Sequence, residues 1–106
     1  MERIEQLQLF IAENAADTFS RYALGLEYMK QENFEAAESC FRFLSENYPE
    51  YIGTYYQFGK LLQQSGKDEE AKSTFRKGME LTKNSDLKTY SELQNALTNL
   101  ELGLDE

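Results

Sequence analysis

The sequence predicts an all-α protein assembled from pairs of amphipathic helices, and three observations lead there. Helix breakers are scarce: 106 residues contain one Pro, Pro49, and six Gly, among abundant Glu, Gln, Lys, Leu and Ala, which favour helix. Apolar residues recur at helical spacing through most of the chain. The chain also resembles itself. Displaced by 34 residues, Gly25 falls on Gly59, Ala37 on Ala71, Phe41 on Phe75, Arg42 on Arg76, Tyr22 on Tyr56 and Glu35 on Glu69. Chance does not place a Gly, an Ala and a Phe together in register, so the period is real.

Each element follows from local pattern. Residues 2–13 set Ile4, Leu7, Phe10 and Ile11 on one helical stripe. Residues 18–31 do the same with Ala23, Leu24 and Tyr28, and Gly25 on that helix allows a neighbour to approach closely. Gln31-Glu32-Asn33 reads as a turn, after which Phe34, Ala37, Phe41 and Leu44 restart the pattern. Tyr48-Pro49-Glu50 ends that helix, because Pro pushes the residue before it out of the α region. In the second copy Gly66 stops one helix, and Asp68 is expected to cap the next, with Glu69 and Glu70 in its first turn. Residues 87–101 supply a last helix with Tyr90, Leu93, Leu97 and Leu100 on its stripe. Its register fits the period if the loop Lys83–Leu87 is one residue longer.

These residues resemble the tetratricopeptide repeat, whose signature is W-x2-L-G-x2-Y, then A-x3-F, then P. The first copy reads Arg21-x2-Leu24-Gly25-x2-Tyr28, Ala37-x3-Phe41 and Pro49. The second reads Tyr55-x2-Phe58-Gly59-x2-Leu62 and Ala71-x3-Phe75, with Lys83 in place of the Pro. Arg21 replaces the opening Trp of the first copy. The resemblance implies a right-handed superhelix of antiparallel helix pairs in one domain, 1–106. It would hold two full repeats, 18–51 and 52–85, between single capping helices at 2–13 and 87–101, six helices in all. Small stand-alone tetratricopeptide proteins of bacterial type are similar.

The resemblance also implies a working surface, a concave groove lined by the first helix of every repeat. The matching positions are Phe19, Tyr22, Ala23, Leu26, Met29 and Lys30 in the first repeat and Tyr56, Gln57, Lys60, Gln63 and Gln64 in the second. Tyr51 is expected to reach the same surface, and Ser91, Gln94 and Asn95 are candidates from the last helix. One end would be apolar and aromatic, the other rich in amides with a single cation, Lys60. Such a surface suits a peptide or helix with apolar anchors and an acidic group. The alternative packs Phe19, Leu26 and Met29 under the first helix, as core. Tyr28, Tyr55, Phe58, Phe41 and Phe75 are expected in the core. The Lys and Asn clamp by which relatives grip acidic chaperone tails is not matched, since Tyr22, Leu26 and Gln57 stand at its positions.

Charge and residue inventory narrow the function further. The net charge is −8, unfavourable for nucleic acid and for anionic membrane surfaces. Residues 52–85 nevertheless hold six Lys or Arg against four Asp or Glu, a local +2 that leaves −10 elsewhere. The absence of His removes the commonest general base and metal ligand. One cysteine, Cys40, forms no internal disulfide and suits a reducing compartment. Gly25 and Gly59 are isolated within helices and make no phosphate loop, and Asp68-Glu69-Glu70 reads as a charged first turn. The expectation is a cytoplasmic protein-binding adaptor with no catalytic residues, cofactor or metal, and no signal peptide or membrane span. Its partner would be a protein or peptide. The alternative function is self-association, a homodimer through the groove or a solenoid end.

Overall fold

The computed structural model describes residues 2–104, and within them every regular element is helical: α1 (Glu2–Glu13), α2 (Thr18–Lys30), α3 (Phe34–Asn47), α4 (Gly53–Gln64), α5 (Asp68–Thr82) and α6 (Leu87–Leu102). Six helices were expected, and their ends fall within a residue or two of the sequence reading. The chain forms two compact units, Met1–Tyr51 and Ile52–Glu106. In the first, α1 packs on α2 and α2 on α3. In the second, α4 packs on α5, α5 on α6, and α4 touches α6.

Short turns join the paired helices, and the two repeats close theirs in the same way. After α2, Glu32 adopts φ 61°, and after α4 Gly66 adopts φ 81°. Asn33 N–H donates to Tyr28 C=O at 2.8 Å and Lys67 N–H to Leu62 C=O at 2.8 Å, so each helix ends in a left-handed residue that satisfies orphaned carbonyls. Gly103, at φ 74°, closes α6 by the same device, with Leu104 N–H on Asn99 C=O at 2.7 Å. Glu32 is the strained member of the three, because its Cβ crowds the following carbonyl in this conformation.

Helix starts are fixed by side chains. Asp17 accepts from Ser20 N–H at 3.0 Å and from the Ser20 hydroxyl at 2.6 Å. Asn33 accepts from Ala36 N–H at 3.3 Å, and Asp86 from Thr89 N–H at 3.1 Å and the Thr89 hydroxyl at 2.7 Å. Bonds from Ser20 and Thr89 hold the Asp17 and Asp86 carboxyls below the usual carboxylate range. The expected cap at Asp68 is corrected: Lys67 occupies that position with no side-chain capping hydrogen bond, and Asp68 is the first helical residue. Asp68, Glu69 and Glu70 all fall in the first turn, where negative charge favours the helix dipole.

Each unit has its own core. Ile4, Leu7, Ala23 and Leu24 form a cluster in the first, with Ile11, Tyr28 and Cys40 against it. Ala37, Phe41 and Leu44 are fully buried there. The second buries Tyr55, Phe58, Leu61, Leu62, Ala71, Phe75 and Leu93. Four of the five aromatics expected in the core are thus buried. Tyr28 is half-buried, and its hydroxyl accepts from Gln8 Nε2 at 3.2 Å. Phe10, on the expected stripe of α1, is exposed.

Two differences between the repeats, Arg21 against Tyr55 and Leu44 against Gly78, explain one another. In the second repeat Tyr55 is buried against Gly78, where an added Cβ would stand 2.7 Å from the Tyr55 Cβ. In the first repeat Arg21 holds the Tyr55 position and Leu44 the Gly78 position. Arg21 turns outward: its guanidinium lies 3.9 Å from the Phe43 ring centroid and donates to Ala15 C=O at 3.3 Å. Leu44 fills the interior that a large aromatic occupies in the other copy.

Two variants test this account by chemical denaturation. Leu44→Gly leaves a cavity and should cost about 3–5 kcal/mol. Adding Arg21→Tyr should restore a large part of that loss, whereas strictly additive single-variant effects would refute the exchange. Glu32→Gly relieves the left-handed strain and should stabilise the protein by about 0.5–1 kcal/mol.

Candidate functional site

The first unit presents an aromatic face. Tyr22 on α2 lies beside Tyr51, with ring centroids 5.7 Å apart and planes inclined at 56°. Tyr22 also meets the buried Phe41 ring at 6.1 Å, so packing from beneath fixes its orientation. Tyr51 is half-buried, and burial, followed by the nearby Tyr22 and Asp17, raises its hydroxyl above the usual tyrosine value. Phe19 is 62% exposed, which sets it apart from a core residue. Leu26 and Met29 are half-buried. Lys30 is exposed and is paired with Glu27 at 3.5 Å. Ala23 departs from the expected face, since it belongs to the core cluster with Ile4 and Leu7.

The second unit presents a polar cleft between α4 and α6. Its volume is about 330 Å³, and Tyr56, Lys60, Glu92, Asn95, Ala96 and Asn99 line it. Tyr56, Lys60 and Asn95 were read from the sequence. Glu92, Ala96 and Asn99 were not, although Asn95 and Asn99 share a helix face by their spacing of four. Gln57 and Gln63 are half-buried and Gln64 is exposed, and none of the three lines the cleft. Ser91 and Gln94 are exposed and likewise stand outside it.

A second depression of about 360 Å³ lies along α5 and α6, lined by Arg76, Met79, Glu80, Lys83 and Tyr90. Its cations are already engaged, Arg76 with Glu101 at 2.9 Å and Lys83 with Glu80 at 2.8 Å. The bond to Glu80 raises the Lys83 ammonium above its usual value. Among the described residues no helix is long and apolar enough to cross a membrane, and no group of three His, Cys, Asp or Glu is placed to hold a metal.

The tetratricopeptide repeat family matches residues 20–47 and 52–85. Among solved structures, the chain is similar to a tetratricopeptide repeat domain protein from Salinibacter ruber. The two share 39% identity over 84% of this chain and 99% of that one, with a TM-score of 0.77. A protein from Bordetella parapertussis shares 27% identity over 94% of this chain and 88% of that one, with a TM-score of 0.79. MamA, at 17% identity over 95% of this chain and 61% of its own, shares the fold with a TM-score of 0.73. No curated protein matches the chain.

Cys40, the one thiol, stands on α3 against the first core cluster rather than on either face. Burial pushes its pKa up to about 11, against a smaller opposing effect of Arg21. The folded thiol is therefore neutral near pH 7, and the nucleophilic thiolate is scarce. Alkylation by iodoacetamide at pH 8 should be slower than for the urea-unfolded chain, accelerating as pH approaches 11. A folded-state rate equal to the unfolded one would contradict this placement.

Proposed function

The chain belongs to the tetratricopeptide repeat family, whose members generally mediate protein–protein interaction, and from that premise we propose that it is an adaptor holding a peptide of a partner protein. Contact would be made through the α4–α6 face of the second unit, with the α2 face of the first unit as a separate candidate surface. The observation that carries this reading is the α4–α6 cleft. Tyr56, Lys60, Glu92, Asn95 and Asn99 make no side-chain hydrogen bond or ion pair among the described residues. A surface that binds nothing within its own fold, yet combines an aromatic ring, amides and charge, has unspent recognition capacity. On the first unit, Phe19, Tyr22 and Tyr51 add aromatic area suited to apolar anchors, with Leu26 and Met29 beside them in sequence.

Selection from a random peptide display library tests the proposal. Enriched peptides should bind the parent chain and lose about tenfold or more in affinity for Tyr56→Ala or Asn95→Ala. Circular dichroism of these variants should stay helical. Enriched peptides that bind both variants as tightly as the parent would remove the α4–α6 assignment.

A further inference from the structure

We propose that the exposed face of α1 docks on a second copy of this chain, in the α5–α6 depression lined by Arg76, Met79, Lys83 and Tyr90. This surface is separate from the α4–α6 cleft, and the inference does not depend on peptide binding there.

α1 carries a mixed stripe that its own fold leaves unused. Ile4 and Leu7 turn inward and Ile11 packs with them. On the other side Glu5, Leu9 and Glu13 follow at intervals of four residues and share a face. Leu9 is 62% exposed, with the exposed Phe10 beside it. The carboxylates of Glu5 and Glu13 make no hydrogen bond or ion pair among the described residues. An apolar anchor thus stands between two unspent acids.

The depression repeats that pattern with cations. Arg76, Met79 and Lys83 share a face of α5, and Tyr90 joins them from α6. Met79 and Tyr90 are half-buried, and Leu87, one turn before Tyr90, is 70% exposed. Arg76 and Lys83 are about 10.5 Å apart along the helix axis, and Glu5 and Glu13 about 12 Å, each span with its apolar residue near the middle. Leu9 seated on Met79 and Tyr90 would bring one glutamate to each cation. Glu101 and Glu80 already pair with Arg76 and Lys83, at 2.9 and 2.8 Å. They need not leave, because a guanidinium has five donors and an ammonium three.

Charge favours this pairing over a symmetric one. Residues 1–51 hold ten Asp or Glu and four Lys or Arg, a net −6, whereas residues 52–104 hold seven of each. Two first units set face to face would oppose like charges, while the second unit of another copy does not repel α1. The contact is therefore heterologous, α1 of one copy on α5–α6 of the next. Glu92, Asn95 and Asn99 take no part in the depression, so joined copies would keep their clefts and offer several at once to a partner with repeated motifs.

Sedimentation equilibrium of the whole chain from about 20 μM to about 1 mM, at low and high salt, tests the proposal. At low salt the mean mass should rise with concentration above 12.3 kDa. At high salt the dissociation constant should rise about three- to tenfold. Leu9→Asp and Met79→Asp should each remain monomeric, and their equal mixture should stop at a 1:1 dimer, since one working surface of each kind remains. Glu13→Lys and Lys83→Glu remove little apolar area and serve even if Met79→Asp fails to fold by circular dichroism. Each alone should weaken association about five- to tenfold, and mixing them should restore it. Asn95→Ala should associate as the parent does. A constant monomer mass for the parent, or mixtures no larger than their separate folded components, would overturn the proposal. Loss of association with Asn95→Ala would move the contact to the α4–α6 face and overturn it equally.

Discussion

Within each repeat the two helices touch through a glycine facing a phenylalanine ring, and most of the other packing depends on that contact. A Cβ added at Gly25 would stand 2.7 Å from Phe41 Cε1, and one added at Gly59 would meet the Phe75 ring at still shorter range. No real side chain fits at such distances, so the first helix must present bare backbone where the ring lodges. Both rings are fully buried. With the ring seated, the neighbouring small residues, Ala37 and Ala71, are drawn into full burial. Tyr22 and Tyr56, three residues before the two glycines, lie on the same side of the first helix and are half-buried, and Tyr22 meets the Phe41 ring at 6.1 Å.

The same contact explains how the flanking helices differ from the repeats they resemble. α6 aligns with α4 through Tyr90, Leu93 and Leu97, but Gln94 stands where the other first helices have Gly25 and Gly59, and it is exposed. A helix packed on α6 as α5 packs on α4 would meet that side chain. At the other end, Phe10 of α1 shares the register of Leu44 and Gly78 and is 44% exposed. Gly78 is tightly approached by Tyr55 and Leu93. A first helix paired with α1 in that manner would have to displace a phenylalanine ring.

How much of this was legible in the sequence depended on the kind of interaction involved. The Gly–Phe contact repeats with the period, so Gly25, Phe41, Gly59 and Phe75 could be read directly and the helices followed. Capping depends on one residue's backbone angles, which a pattern cannot supply. Asp68 looked like a cap because acids cluster there, yet Asp17, Asn33 and Asp86 make the side-chain bonds. Ala23 was assigned to the groove as a position matching the family, but a small residue beside α1 is drawn into the core. Asn99 and Glu92 escaped notice because α6 departs from the 34-residue register and carries no repeat signature. Its contribution to the cleft requires knowing that α6 meets α4. The outward turn of Arg21 was equally hidden, since it follows from the volume of Leu44.

α4 shows why a helix can combine a fixed position with a surface free for recognition. Its residue before the first turn, Ile52, offers no side-chain cap, and the helix carries no acid in its first turn and no base in its last. What holds it is burial: Thr54, Tyr55, Phe58, Gly59, Leu61 and Leu62 are interior, half of its twelve residues. Burying its four aromatic and leucine side chains contributes roughly 6–12 kcal/mol before entropy is counted, far more than one cap or surface ion pair. The remaining polar residues are therefore released from stabilising the helix. α5 is the contrast, with an acidic first turn and Lys72 and Lys83 paired to its own glutamates, or Arg76 to Glu101 on α6. Charges used in that way are occupied. The stability of α4 comes from the core, and among the described residues the side chains of Tyr56 and Lys60 make no hydrogen bond or ion pair that holds the helix.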